Sequence, residues 1–183
     1  MQEIRFYRAS GEYGFLSNLY AMEQGFWLPD EYVTHPETGA SELFRTAKHF
    51  NDSERAYQYG KPVRQDVADW IVSAPKPHLS AIAAHGLFVW DVRPDWATAK
   101  VERMRMVLSH KFARCQQWNL AAKLLDTGDA QLIEESKTDS FWGIGKNGKG
   151  KNMLGVLLVE RRDALKKELE AHHQSNKPHA VSG

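Results

Sequence analysis

Seventeen residues near the C-terminal end, Asp139 to Gly155, read DSFWGIGKNGKGKNMLG. Five glycines, three lysines, two aromatics, two asparagines and an aspartate run directly into a helical pattern. A glycine-rich loop that opens a helix can present backbone N–H groups to an anion, because the first turn has unpaired donors and the positive end of the dipole. Its place in the chain limits the folds that can use it. Gly143-x-Gly145-x-x-Gly148 satisfies GxGxxG, but a dinucleotide fold needs a hydrophobic strand before the loop and a second, acid-ended strand after it. Here Thr138 to Trp142 precedes the loop, and only a final helix and a tail follow. Gly143 to Lys149 also fits the first seven positions of a P-loop, but Gly150 stands where magnesium needs a Ser or Thr hydroxyl. Both nucleotide folds are excluded. A phosphate-holding loop and a plain glycine hinge with solvated lysines remain open, and the bulky Phe141-Trp142 pair beside Asp139 favours a ligand.

The rest of the chain fits one soluble domain. Its 183 residues bury a sizeable core, and 42% hydrophobic with 26% charged residues is ordinary for a globular protein. A net charge of +1 excludes a protein-wide field for nucleic acid, though not a local basic patch. The single cysteine, Cys115, excludes an intramolecular disulfide and fits a reducing compartment. It continues an apolar helical stripe, so core packing is expected of it. The start, MQEIR, lacks the basic and apolar pattern of a signal peptide, and no stretch approaches the ~20 apolar residues of a membrane span. A cytoplasmic location is expected, with no membrane partner.

Periodicity gives a coarse map. EIRFY (3–7) alternates as a short strand, and residues 23–40 read as an irregular connection. Leu43, Phe44, Ala47 and Phe50 recur at helical spacing after Ser41, a reasonable N-cap. Pro62 suits a helix N1 position ahead of Val63, Val67, Trp70 and Ile71, and Pro75 and Pro77 break that helix. His78 to Ala84 forms another, with Gly86 as its C′ residue. The clearest helix starts near Asp95-Trp96 and buries Val101, Met104, Leu108, Phe112 and Cys115. Trp118 to Asp126 is helical, Gln131 to Glu135 a brief strand, and Leu154 to Leu169 a terminal helix. The expected fold is α+β: a predominantly helical domain over 1–171 with a few short strands, then a disordered polar tail over 172–183.

Two residues elsewhere invite a chemical reading. Glu42, in the first turn of the expected helix beside Leu43 and Phe44, either complements the helix dipole or is an acid–base carboxylate at the edge of the core. Trp96 is either core or a cleft wall that stacks on a ring. The eight histidines lack HxxxH or HExxH spacing and no Cys/His cluster exists, so neither a metal nor another cofactor is expected.

Three segments together resemble the NADAR family, also called YbiA-like N-glycosidases. Phe6-Tyr7 with Tyr13-Gly14-Phe15-Leu16-Ser17-Asn18 is similar to the family's FY…YG-x-FSN opening. Ser41-Glu42 with Ala47 and Phe50 fits the frame of its SEHYFQAQKF helix, although Leu43, Thr46 and His49 depart from it. Asp139-x-x-Trp142-Gly143 and Gly148-Lys149-Gly150-Lys151-Asn152-x-Leu154-Gly155 resemble its D-x-x-WG…G-x-G-x-N-x-LG signature. Trp96 falls where the family has a tryptophan ahead of its A-x-x-x-KF helix.

The resemblance implies hydrolysis of an N-glycosidic bond to a phosphorylated ribose. The substrate would be either ADP-ribose joined to guanine in nucleosides or DNA, or a ribosylamino-pyrimidine of riboflavin synthesis. Members of the first kind oppose an ADP-ribosyltransferase toxin. The departures around Glu42 and the atypical 23–40 segment favour ADP-ribosyl-guanine; a non-catalytic ADP-ribose-binding module is the alternative outside enzymology. By resemblance the catalytic carboxylate is Glu42, the aromatic Trp96 and the second carboxylate Asp139. Asn18, Trp142, Gly143, Gly148, Lys149, Lys151 and Asn152 are expected to bind the substrate, the loop holding phosphate through its backbone N–H groups.

Overall fold

The computed structural model describes residues 2–175. Its elements bear out the α+β reading, with helices dominating and strands confined to two-stranded pairs among the described residues. The chain opens with β1 (Glu3–Phe6), whose alternation sends Ile4 and Phe6 inward and leaves Glu3 and Arg5 outside. β1 pairs in parallel with the distant β6 (Gln131–Glu134), Glu3 facing Gln131 and Phe6 facing Glu134.

Between these strands the structure corrects the expected helix at Ser41. Residues 23–50 form two antiparallel pairs. β2 (Phe26–Leu28) lies against β5 (Lys48–Phe50), and β3 (Glu31–Thr34) against β4 (Ser41–Arg45). Leu43 is exposed and Phe50 buried, so their spacing was not one helical face. Gly39 turns the β3–β4 connection in the left-handed region, with Ala40 O accepting from His35 N. Arg45 is buried at the end of β4 and spends its guanidinium on the carbonyls of Tyr59, Phe44, Pro62 and Val63.

The helix that follows starts later, at Ser53. Asp52 caps α1 (Ser53–Tyr59) by accepting from Arg55 N at 2.8 Å, and an ion pair to the Arg55 side chain holds the capping carboxylate. α2 (Gln65–Val72) begins after Pro62, which instead forms an isolated bridge with Val92. Pro77 opens α3 (Pro77–Ile82), and a π turn, Ala83–Leu87, continues it. Gly86 lies inside that turn rather than capping it in the left-handed region.

α4 (Trp96–Lys111) carries the predicted stripe, with Met104, Leu108 and, just past its end, Phe112 fully buried and Val101 half-buried. Cys115 is exposed, because α4 has already ended and the chain turns there toward α5 (Trp118–Leu125). α6 (Met153–Ser175) packs on β6, α4 and α5. Its contact with β6 depends on Gly155, where a Cβ would stand 2.0 Å from Leu132 O. α6 also takes in His172 to Ser175, the first part of the expected tail; the remainder of that tail lies outside the described residues.

Candidate active site

A cavity of about 850 Å³ opens between α1, the α3–π segment, the start of α4 and the turn after β6. α1 supplies its floor. Glu54, Tyr57 and Gln58 follow one another at i, i+3 and i+4, so they share one helical face, and Lys61, just past the helix end, joins them in lining the cavity. The Tyr57 ring is flanked by Trp96 at 5.1 Å and Trp142 at 5.6 Å, and Trp142 meets Phe141 edge-on at 5.0 Å. These four rings, all in the wall, are suited to stacking on a planar ligand.

Three carboxylates face this space: Glu54, Glu134 at the end of β6, and Asp139. Glu54 is held by Gln58 Nε2, which donates to its Oε1 at 2.8 Å, while Glu54 N donates to Asn18 O at 3.0 Å. Burial pushes Glu54 up to about 7 against the Gln58 hydrogen bond and the Lys61 charge, and Asp52 and Asp139 add to the rise. Burial, with the charges of Asp139 and Glu54, pushes Glu134 up to about 7 as well. Glu54 thus adds to the rise of Glu134, and both carboxyls sit well above the ordinary carboxylate range, poised near neutrality between their two protonation states. Asp139 has a structural task too: its Oδ1 accepts from Phe141 N and Trp142 N, both at 2.8 Å, and so aims the aromatic turn.

Several polar atoms in this wall lack protein partners. Asn18 Oδ1, Gln58 Oε1 and Glu134 Oε2 are buried with no hydrogen bond. An unpaired buried polar atom costs about 1–3 kcal/mol, and three of them on one cavity mark a surface prepared for a ligand.

Of the residues expected from sequence, Asn18, Trp96, Asp139 and Trp142 meet at this cavity. Glu42 does not. It is exposed on β4, opposite Val33, and the carboxylate that lines the cavity from α1 is Glu54. The signal for this was present, since Ser53-Glu54-x-x-Tyr57-Gln58-x-x-Lys61 fits the S-E-x-x-F-Q-x-x-K frame of the family helix more fully than the segment at Ser41. Glu134 left no sequence signal beyond its place at the end of a short strand.

Gly143, Gly148, Lys149, Lys151 and Asn152 also stand outside the cavity lining. Most of the loop N–H groups expected to hold phosphate are already spent. Gly150 N donates to Ile144 O, Lys151 N to Ser140 O, Asn152 N to Gly143 O, Met153 N to Phe141 O and Leu154 N to Trp142 O. Asn152, with a left-handed φ of 51°, gives its amide to β6: Oδ1 accepts from Glu134 N at 2.9 Å and Nδ2 donates to Leu132 O at 2.8 Å. It therefore supports the strand that carries Glu134 instead of touching the cavity. Lys151 comes nearest, its ammonium 5.3 Å from the centre of the Phe141 ring.

Comparison with known proteins places the chain. The NADAR domain matches residues 5–166. The chain belongs to the NADAR family. A family relative from Shigella boydii serotype 4 (strain Sb227), named N-glycosidase YbiA, is 33% identical over 162 residues, 88% of each chain. A longer riboflavin biosynthesis protein from Vibrio vulnificus (strain YJ016) is 30% identical over 169 residues, 90% of this chain but 39% of that one. The NMR structure of the Escherichia coli protein YbiA aligns with a TM-score of 0.70 at 30% identity, covering 99% of this chain and 93% of that one. The helical NADAR fold expected from sequence is thus shared by a solved structure. Among the described residues no cluster of three or more His, Cys, Asp or Glu could hold a metal ion, and no helix is long and apolar enough to cross a membrane.

Proposed function

We propose that this chain is an N-glycosidase that cleaves the bond between ADP-ribose and guanine, in a nucleoside or in DNA. The observation that carries the reading is the pair Glu54 and Glu134, both pushed up to about 7, facing an aromatic-walled cavity beside Asp139. Breaking an N-glycosidic bond passes through a cation-like sugar, so it needs a carboxylate near the anomeric carbon and a proton for the leaving nitrogen. Glu54, with Lys61 and Gln58 favouring its ionised form, takes the first role. Glu134, with only negative neighbours, keeps its proton longer and gives it to the base.

As the C–N bond breaks, its electron pair stays on the nitrogen, which receives the Glu134 proton. Water then bonds to the anomeric carbon and loses a proton to Glu54, and solvent returns that proton to Glu134. Asp139 positions Phe141 and Trp142, and Trp96 stacks on the base. A volume of about 850 Å³ lies toward the upper end of the ~300–1,000 Å³ range of small-molecule sites, which suits a dinucleotide-sized ligand. In this reading the chain works in the cytoplasm and reverses the product of an ADP-ribosyltransferase toxin.

The name of the Vibrio vulnificus relative favours a second reading, hydrolysis of a ribosylamino-pyrimidine phosphate. Mass spectrometry separates the readings. Incubation with ADP-ribosylated guanosine, or with an oligonucleotide carrying that modification, is expected to release free ADP-ribose. Release of ribose 5-phosphate from the pyrimidine substrate alone transfers the assignment to riboflavin chemistry. Binding of ADP-ribose with no product from any substrate overturns the enzymatic reading in favour of a binding module.

A further inference from the structure

Among the described residues, Lys61 is the one buried lysine that lines the cavity, with 6% of the residue exposed. An ammonium has three N–H groups and accepts nothing. Lys61 Nζ lies 3.2 Å from Ala84 O and 3.2 Å from His85 Nδ1, and no other acceptor in the described residues bonds to it. Two of its protons are therefore placed by the π turn, and the third is unassigned. For the ammonium to donate to His85, Nδ1 must carry a lone pair, which puts the ring proton on Nε2.

The turn that supplies both acceptors is firmly held. Phe88 N donates to Ala83 O at 3.1 Å across the π turn, Ala83 and Ala84 are buried, and the Phe88 ring packs edge-on against Trp70 at 5.0 Å. One extra residue in a helical turn redirects the side chains after it, and such insertions recur at functional sites.

We propose that His85 is a positioning residue: with Nδ1 unprotonated it fixes the Lys61 amine so that the remaining N–H is offered to the leaving nucleobase in the cavity. The inference rests on the glycosidase reading for its ligand, but its geometry stands apart from it. A hydrogen bond from Lys61 would stabilise negative charge developing on the base as the C–N bond breaks. The charges acting on His85 are Lys61, just after α1, and Asp139, in the turn after β6; Glu54, His78, Arg93, Lys100 and Glu134 line the same cavity. Burial and then the Lys61 charge lower His85, with Asp139 opposing, so the neutral ring persists below its ordinary pH range. Below that point a protonated Nδ1 can no longer accept, and Lys61 loses its tether.

Two arms test this on the full chain. The first does not depend on turnover: nitrogen-15 NMR of the imidazoles is expected to show His85 as the Nε2–H tautomer, with a titration midpoint that rises when Lys61→Met removes the neighbouring charge. An Nδ1–H tautomer, or a midpoint unmoved by that substitution, overturns the proposal. The second measures hydrolysis of ADP-ribosylated guanosine. His85→Ala is expected to lower kcat ~10-fold or more with little change in KM. His85→Asn, whose Oδ1 can accept at the Nδ1 position and cannot titrate, is expected to recover most of that loss and to shed the His85 part of the acidic fall. Equal rates for wild type and His85→Ala, or an Asn variant as slow as the Ala variant, overturn it. A wild-type protein that binds but does not turn over this substrate defeats the glycosidase reading, and the NMR arm still decides the role of His85.

Discussion

Two regions of this molecule advertise a ligand, and only one of them lines the aromatic-walled cavity with buried polar atoms left unpaired. The loop over 143–152 has the glycines, lysines and helix-opening position of an anion site. Yet most of its N–H groups donate to acceptors within the loop or just before it, and Asn152 is bonded to β6. The cavity-lining face of α1 has an unremarkable composition, but with the residues just after the helix it brings Glu54, Tyr57, Gln58 and Lys61 to a cavity where polar atoms lack partners. Binding capacity lies in unspent hydrogen-bonding groups, and those cannot be counted until the fold has spent the others. The loop acts on the site indirectly, by fixing Phe141, Trp142 and the end of β6.

The largest expected effect breaks the comparison if it fails. Glu54→Gln keeps the side-chain shape and the bond to Gln58, and is expected to lower kcat on ADP-ribosylated guanosine by at least ~10². Glu42→Gln, on the exposed β4, is expected to match wild type. A reversal of these two outcomes would return the chemistry to Glu42 and empty the α1 face of its role. The next effect belongs to the loop. At Gly150 a Cβ would stand 2.4 Å from Gly143 O and 2.6 Å from Ile144 C, so Gly150→Ala forces the loop apart. It is expected to cost about 1–3 kcal/mol in urea unfolding, with KM at low temperature close to wild type. A variant of full stability whose KM rises tenfold would make the loop a binding element after all.

The same contrast explains what was legible in the sequence. Long amphipathic helices were, because Met104, Leu108 and Phe112 repeat on one face regardless of what packs on them. The two small β pairs were not. Their strands run only three to five residues, and Leu43, Phe44, Ala47 and Phe50 imitate helical spacing by accident. That imitation drew the family frame to Ser41-Glu42, while the cap that starts the real helix, Asp52, stood next to the better match. Asp139, Trp96, Trp142 and Asn18 were found because local motifs surround them. Glu134 and the Lys61–His85 contact were out of reach, since each depends on segments brought together from distant parts of the chain.

The smallest effect is a pH dependence that belongs to the α1 cavity and not to the loop. Glu54 and Glu134 are both raised from 4.5 to about 7, so between those values the folded chain holds more protons than the unfolded one. Stability must then fall as pH rises through that window, because unfolding releases protons. Glu134→Gln removes one of the two titrations and leaves that of Glu54, which burial, Asp52 and Asp139 raise. Wild type is expected to lose on the order of 1 kcal/mol of unfolding free energy between pH 5 and 7, after allowance for cavity water. The variant is expected to be flatter over the same range and more stable at its upper end. If wild type instead gained stability across the window, the carboxylates would be ionised and satisfied in the folded chain. The cavity would then have no more unspent capacity than the loop.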